Sequence, residues 1–329
     1  MKKAIVTGIS GQDGSYLAKL LIGKGYRVIG LISENRNSDL FRLAYLDILQ
    51  SCEIRPINLL NQNAVEQLLE EVRPDEIYNL AALSSVGVSF QQPLNTFDFN
   101  TRSVMVLLEA IRRVCPKTRF YQASSSEMFG NIGRSRLPVQ ESFLFHPASP
   151  YGISKASAHW LTVNYREAFG LNACCGILFN HESALRPEHF VIKKVIGSAL
   201  RIRDGLQAKL TLGNLAIARD WGYAPKYVEA MWAMLQRDRF EDYLICSGAF
   251  IQLKEFVFKV FAKLQMDATL YIEIDERLTR SLELDIIYGD NSKARQELGW
   301  NYNMSTDDLI DQLIRDEDCL RSWNNKRVE

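Results

Sequence analysis

Two short stretches carry side chains that can move protons. Residues 151–155 read Tyr-Gly-Ile-Ser-Lys, and residues 124–127 read Ser-Ser-Ser-Glu. On a helix, Tyr151 and Lys155 share one face with about 6 Å between them. A tyrosine titrates near 10 and is a poor base at neutral pH, but a lysine ammonium and an oxidised nicotinamide ring beside it both favour the phenolate. Lowering that pKa by about two units needs roughly 3 kcal/mol, which two close positive charges in a drier site can supply. Glu127 is the sharper clue. Moving hydride at one carbon needs only a hydroxyl and the tyrosine. An added carboxylate implies a second proton transfer, such as removal of a proton α to a newly formed ketone.

These groups need a nicotinamide, and the N-terminus offers a place for one. Residues 7–14 read Thr-Gly-Ile-Ser-Gly-Gln-Asp-Gly, so glycines stand at 8, 11 and 14. An apolar run (Ala4, Ile5, Val6) precedes them and a helical pattern (Tyr16, Leu17, Leu20, Leu21) follows. That is the strand–turn–helix setting in which backbone N–H groups bind a pyrophosphate at a helix N-terminus. Asn79-Leu80-Ala81-Ala82 closes another strand with small residues, as a backbone passing close to a cofactor requires. Glu34 lies about 20 residues past the last glycine, where an acidic side chain suits the free ribose 2′-hydroxyl of NAD. Arg36 could reach the 2′-phosphate of NADP, so both cofactors stay open.

The elements that must position these residues are legible in outline. Candidate strands are 4–7, 27–31, 53–57, 76–79, 119–123 and 173–178, and helical patterns run over 15–24, 62–72, 99–114 and 153–169. The alternation predicts an α/β fold, a Rossmann-type doubly wound parallel sheet. Strand 119–123 ends at the carboxyl edge, which aims Ser124, Ser125, Ser126 and Glu127 at the nicotinamide crevice. After residue 180, charged and aromatic clusters replace the clean alternation. We therefore expect an NAD(P)-binding domain over 1–178 and a smaller substrate lobe over 179–329, interleaved with the first.

Lys plus Arg and Asp plus Glu both number 39, which gives no electrostatic attraction to nucleic acid. No apolar stretch reaches the roughly 20 residues of a membrane span, and the N-terminus has no secretory pattern, so a cytoplasmic location is expected. The six cysteines show no C-x-x-C, and neither they nor the four histidines have metal-ligand spacing. No metal is expected.

Longer motifs carry a resemblance. The chain resembles the GDP-mannose 4,6-dehydratase family of extended short-chain dehydrogenases/reductases nearly end to end. The likeness rests on Gly11-Gln12-Asp13-Gly14-Ser15-Tyr16-Leu17, Tyr78-Asn79-Leu80-Ala81-Ala82 and Phe120-Tyr121-Gln122-Ala123-Ser124. It continues through Ser149-Pro150-Tyr151-Gly152, Phe179-Asn180-His181-Glu182-Ser183, Gly213-Asn214-Leu215, Arg219-Asp220-Trp221-Gly222 and Leu298-Gly299-Trp300. The resemblance implies conversion of GDP-mannose to GDP-4-keto-6-deoxy-mannose, with Ser125, Glu127, Tyr151 and Lys155 as catalytic residues. It implies cofactor contacts at Gly8, Gly11, Gln12, Asp13, Gly14, Glu34, Arg36, Asn58, Leu59, Leu80, Ala81, Ala82, Tyr151 and Lys155. Contacts to the GDP-sugar are implied at Ser84, Ser126, Asn180, Glu182, Lys193, Arg219, Arg280 and Glu283. NADP is the family habit, against which Glu34 leans to NAD. Departures concern the sugar more than the chemistry: Ser125 stands for a threonine, Leu83 removes an amide, and Ala184 follows the Asn-His-Glu-Ser segment. The alternative is a related C4 dehydrogenase, ketoreductase or epimerase acting on a GDP-hexose or GDP-heptose. Helices over 99–114 and 153–169 would pair two copies into a homodimer, and a tetramer stays open.

Overall fold

Short apolar runs become the strands of a seven-stranded parallel sheet in the computed structural model, which describes residues 1–34, 39–278 and 283–328. The strands are β1 (Lys3–Thr7), β2 (Arg27–Ile32), β3 (Cys52–Pro56), β4 (Glu76–Asn79), β5 (Arg119–Ser125) and β6 (Ala173–Leu178). Asn180–Glu182 forms the short β7 outside this sheet, and Tyr243–Ile245 supplies the seventh sheet strand, β8. Their order is β8-β6-β5-β4-β1-β2-β3. Eight helices matter here: α1 (Gln12–Gly23), α2 (Gln62–Val72), α3 (Ser103–Val114), α4 (Pro150–Phe169), α5 (Val191–Arg203), α6 (Ala224–Leu235), α7 (Leu253–Lys263) and α8 (Thr306–Val328).

Successive strand side chains point to opposite faces, so a sheet covered on both sides needs unbroken apolar runs. Ala4 and Val6 pack with Leu17, Leu21, Val228 and Met231 of α1 and α6. Ile5, between them, packs the other way with Val65, Leu107, Ile111 and Ala158 of α2, α3 and α4. All six expected strands form, within two residues at each end. β5 runs on to Ser125, past the expected end at 123, and β8 was not anticipated. The helix expected over 99–114 begins at Ser103, because Asp98–Arg102 is wound into a wider π-type turn.

Beyond β6 the chain builds a separate apolar cluster from α5, α7 and α8, including Val195, Ile196, Phe256, Phe261, Ile310 and Leu313. β7 pairs in parallel with Trp221–Tyr223, and Leu210–Leu212 with Ile272–Ile274. Met105 on α3, and Ile153 and Trp160 on α4, are large apolar side chains left about half exposed. No described helix is long and apolar enough to cross a membrane.

Lys193 departs from expectation. It sits on the inward face of α5, where its ammonium meets Glu317 of α8 and donates to the Ala184 carbonyl at 2.6 Å. Both side chains are buried, at 7% and 6% exposure, so Lys193 ties two helices together and does not face the cleft. Breaking a buried pair leaves an unpaired charge, at a cost of about 3–5 kcal/mol. Glu317→Leu should lower unfolding stability by that order, and Lys193→Met/Glu317→Leu should recover most of it. Equal stability of the single and double variants in urea unfolding would refute the pairing.

Candidate active site

The chain runs from β1 to β2 and β3 on one side, then returns to place β4 on the other. A crevice opens beyond the carboxyl ends of β1 and β4, where ligands bind in such sheets. Gly8 has φ +66, and a Cβ there would lie 3.0 Å from the Ala81 N and Cα. A Cβ on Gly14 would lie 2.3 Å from the Gly8 carbonyl oxygen and 2.6 Å from the Ile9 Cα. No side chain fits at either position, so the turn presents bare backbone at the start of α1. That cradle fits the pyrophosphate of a nicotinamide dinucleotide.

A row of polar side chains crosses the carboxyl edge behind the turn. Thr7 Oγ1 accepts the Leu80 and Ala81 N–H groups at 3.0 and 2.9 Å and donates to Asn79 Oδ1 at 2.7 Å. Asn79 Nδ2 donates to Gln122 Oε1 at 2.8 Å, and Gln122 Nε2 to the Ala123 carbonyl at 3.0 Å. The Lys155 ammonium donates to that same carbonyl at 2.9 Å.

Tyr151 faces the end of β5 because α4 starts where it does. Ser149 caps the helix, its Oγ accepting the Gly152 N–H at 3.0 Å, and Pro150 opens the first turn. A Cβ on Gly152 would stand 2.7 Å from the Glu127 carbonyl oxygen, so only glycine lets α4 approach this closely. The Ser125 hydroxyl hydrogen-bonds the Tyr151 phenol and accepts the Glu127 N–H at 3.3 Å. Burial pushes Tyr151 up to about 12, the Ser125 hydrogen bond opposes it, and the Glu127 charge adds to it. Burial pushes Lys155 down to about 8, against the attraction of Asp13. Lys155 lies on the same face of α4 as Tyr151, one turn on. Its ammonium lies 5.8 Å from the ring centroid and points at Ala123.

These groups line one cleft of about 1100 Å³. Gly8, Gly11, Gln12, Asp13, Gly14, Glu34, Asn58, Leu59, Leu80, Ala81 and Ala82 form one arm. Ser125, Glu127, Tyr151 and Lys155 lie together, and Ser84, Asn180, Glu182, Arg219 and Glu283 line the rest. Asn214, also in the cleft wall, donates to Glu283 at 3.0 Å. Ser126 is buried in the turn after β5 and is not part of the cleft wall, nor is Lys193. Arg36 and Arg280 lie outside the described residues.

Comparison with known proteins agrees with this geometry. The sequence model of the family described as GDP-mannose 4,6 dehydratase matches residues 5–313. The chain belongs to the GDP-mannose 4,6-dehydratase family. It is 44% identical to GDP-mannose 4,6 dehydratase 2 of Arabidopsis thaliana over 96% of this chain and 87% of that protein. It is 39% identical to GDP-mannose 4,6-dehydratase of Yersinia enterocolitica over 95% and 93%. Among solved structures, dTDP-glucose 4,6-dehydratase of Bacillus anthracis in complex with NAD has a TM-score of 0.86 at 20% identity, covering 98% of each chain. RMD from Pseudomonas aeruginosa complexed with NADPH has a TM-score of 0.80 at 22% identity, covering 97% of this chain and all of that one. These last two show the shared fold.

In this member of the GDP-mannose 4,6-dehydratase family, sequence reasoning missed several residues of the cleft wall. His181, Arg186, His189, Lys194 and Trp221 all line it. The His181 ring puts Nδ1 2.6 Å from the Phe179 carbonyl and Nε2 2.8 Å from Asp13 Oδ2, and stacks on Tyr227 at 4.6 Å. Burial would raise Asp13, but the His181 ring outweighs it and holds the carboxyl below its ordinary range. Arg186 donates to the His181 carbonyl and pairs with Glu182 at 3.3 Å, while burial pushes Glu182 up. The cations at 186 and 194, close after Asn-His-Glu-Ser, were the available signal.

Proposed function

We propose that this protein catalyses the 4,6-dehydration of GDP-mannose to GDP-4-keto-6-deoxy-mannose, with its nicotinamide dinucleotide regenerated in every turnover. The observation that carries the reading is Glu127, a carboxylate in the same cleft as the Tyr151–Lys155 pair, in a chain of this family. A nicotinamide dinucleotide held by the Gly8–Gly14 turn and Lys155 would supply the hydride acceptor and donor for carbons four and six. The chain's own groups handle the protons. Tyr151 takes the proton of the C4 hydroxyl, with Ser125 holding the same oxygen. The resulting ketone acidifies carbon five, whose proton Glu127 removes. Glu127 then returns that proton to the departing C6 hydroxyl, which leaves as water. Hydride addition at carbon six is completed by a proton to carbon five, balanced by the one Tyr151 took from the C4 hydroxyl. Phenol and carboxylate both return to their starting states. Asn180, Arg219 and Glu283 receive the nucleotide, the guanidinium suiting phosphate oxygens because its planar fork donates twice.

The division of labour is testable. Tyr151→Phe should stop the first oxidation. Glu127→Gln should allow oxidation and block elimination, lowering product formation by about a hundred- to ten-thousandfold. Mixed with GDP-mannose, the Gln variant should show a burst of reduced-nicotinamide absorbance that the Phe variant lacks. Equal loss of the burst in both would show that Glu127 is not a separate base.

Glu34 stands at the end of β2 on the cofactor arm, with Asn58 and Leu59 beside the same cleft. There its carboxylate would accept from the adenine ribose hydroxyls of NAD and would repel the about −1.5 to −2 charge of a 2′-phosphate. Screening at an open loop reduces that repulsion to roughly 1–2 kcal/mol, or about five- to thirtyfold in affinity. Titration of the cofactor-free protein should show tighter NAD binding, reversed in Glu34→Arg. Tighter NADP binding in the wild type, unmoved by the substitution, would show that another residue reads the ribose.

A further inference from the structure

α4 carries a third polar residue on the catalytic face. Tyr151, Lys155 and His159 follow at four-residue steps, so three successive turns present a phenol, an ammonium and an imidazole toward β5. Each meets one of three consecutive residues at the end of that strand. Ser125 bonds Tyr151, the Ala123 carbonyl accepts Lys155 at 2.9 Å, and Ser124 Oγ lies 3.1 Å from His159 Nδ1. The first two contacts belong to the reaction. The third has no assigned role.

The surroundings of His159 fix its ring and its charge. It is 4% exposed, and the edges or faces of Phe145 and Trp160 meet it nearly perpendicularly at 4.9 and 5.5 Å. Nε2 faces Asp242 Oδ2 at 4.0 Å. Asp242 in turn accepts Arg166 in two bonds, at 2.8 and 2.9 Å, and the Cys175 N–H at 2.7 Å. Burial keeps the ring neutral, pushing it down to about 4 against the pull of Asp242. The Ser124 hydroxyl and His159 Nδ1 share one buried hydrogen bond at 3.1 Å, its direction set by the ring tautomer. His159, Cys175 and Asp242 converge as metal ligands would, but the Arg166 guanidinium already occupies the carboxylate.

We propose that His159 is a positioning residue for catalysis: by holding the Ser124 hydroxyl, it locks the end of β5 against α4 and so sets the Tyr151–Lys155 geometry. Ser124 is 2% exposed and lies between the two residues that touch the reacting pair. Releasing it frees the strand end to tip, which moves the Ser125–Tyr151 and Ala123–Lys155 contacts together. The inference rests on the reading of Tyr151 and Lys155 as the reacting pair.

The test compares full-length wild type with Ser124→Ala, His159→Phe, His159→Asn and Ser124→Ala/His159→Phe. Each single loss of the bond should lower kcat for GDP-mannose about tenfold or more, with KM within about twofold, because a small misplacement costs rate before binding. The double variant should fall no further than the worse single one, and His159→Asn, which keeps an acceptor, should recover much of the loss. NADH affinity, read by its fluorescence, should follow the same non-additive pattern, since Lys155 is displaced whichever sugar is used. Losses that multiply in the double variant would overturn the proposal. So would a fall in thermal stability with kcat and NADH affinity unchanged. Absence of GDP-mannose turnover in the wild type would sink the dehydratase reading alone, leaving the NADH arm to decide the role of His159.

Discussion

The Ala123 carbonyl oxygen is the point on which the site turns. It takes one hydrogen bond from Gln122, the last link of a polar row through Thr7 and Asn79, and one from the Lys155 ammonium. A buried carbonyl has two lone pairs, and both are used here. The row fixes the spacing of β1, β4 and β5 at their carboxyl ends, and the ammonium fixes α4 against them. The same Thr7 hydroxyl that starts the row holds the Leu80–Ala81 backbone beneath Gly8. Cofactor cradle and proton-handling pair are thus referenced to one set of buried hydrogen bonds, in which a lost partner costs about 1–3 kcal/mol.

Burial also sets the charge balance. A dry site favours the neutral form of every ionisable group, and it pushes Tyr151 and Glu182 up and Lys155 down. Asp13 escapes because His181 donates to it from across the cleft wall. That bond joins the glycine-rich turn to β7. Gln12 adds to the same seam, donating to the His181 carbonyl at 3.2 Å and accepting the Ser183 hydroxyl at 2.8 Å. The glycine-rich turn and the segment around β7 are therefore tied together by three side-chain hydrogen bonds.

Much of this was legible in residue order, because the signals were local. Strand–glycine–helix spacing and the Tyr-x-x-x-Lys step each specify geometry within a few residues, and the structure brings both motifs to one cleft. What escaped was set by distant partners. β8 is three residues long and too short to show a period. Lys193, expected to contact the GDP-sugar, is instead claimed by Glu317, 124 residues on. His159 looked like any helix residue, since Ser124 and Asp242 reach it only through the fold. His181 stood in a motif that was noticed, but its bond to Asp13 spans 168 residues.

The central claim is that hydride leaves carbon four and returns to carbon six of the same sugar while water is lost. GDP-mannose deuterated at carbon four tests it most directly, with products followed by mass and NMR. The account predicts a product lighter by one water, with deuterium retained at carbon six and no accumulation of reduced nicotinamide. Deuterium appearing in the nicotinamide pool, or a product two hydrogens lighter with its water intact, would contradict it.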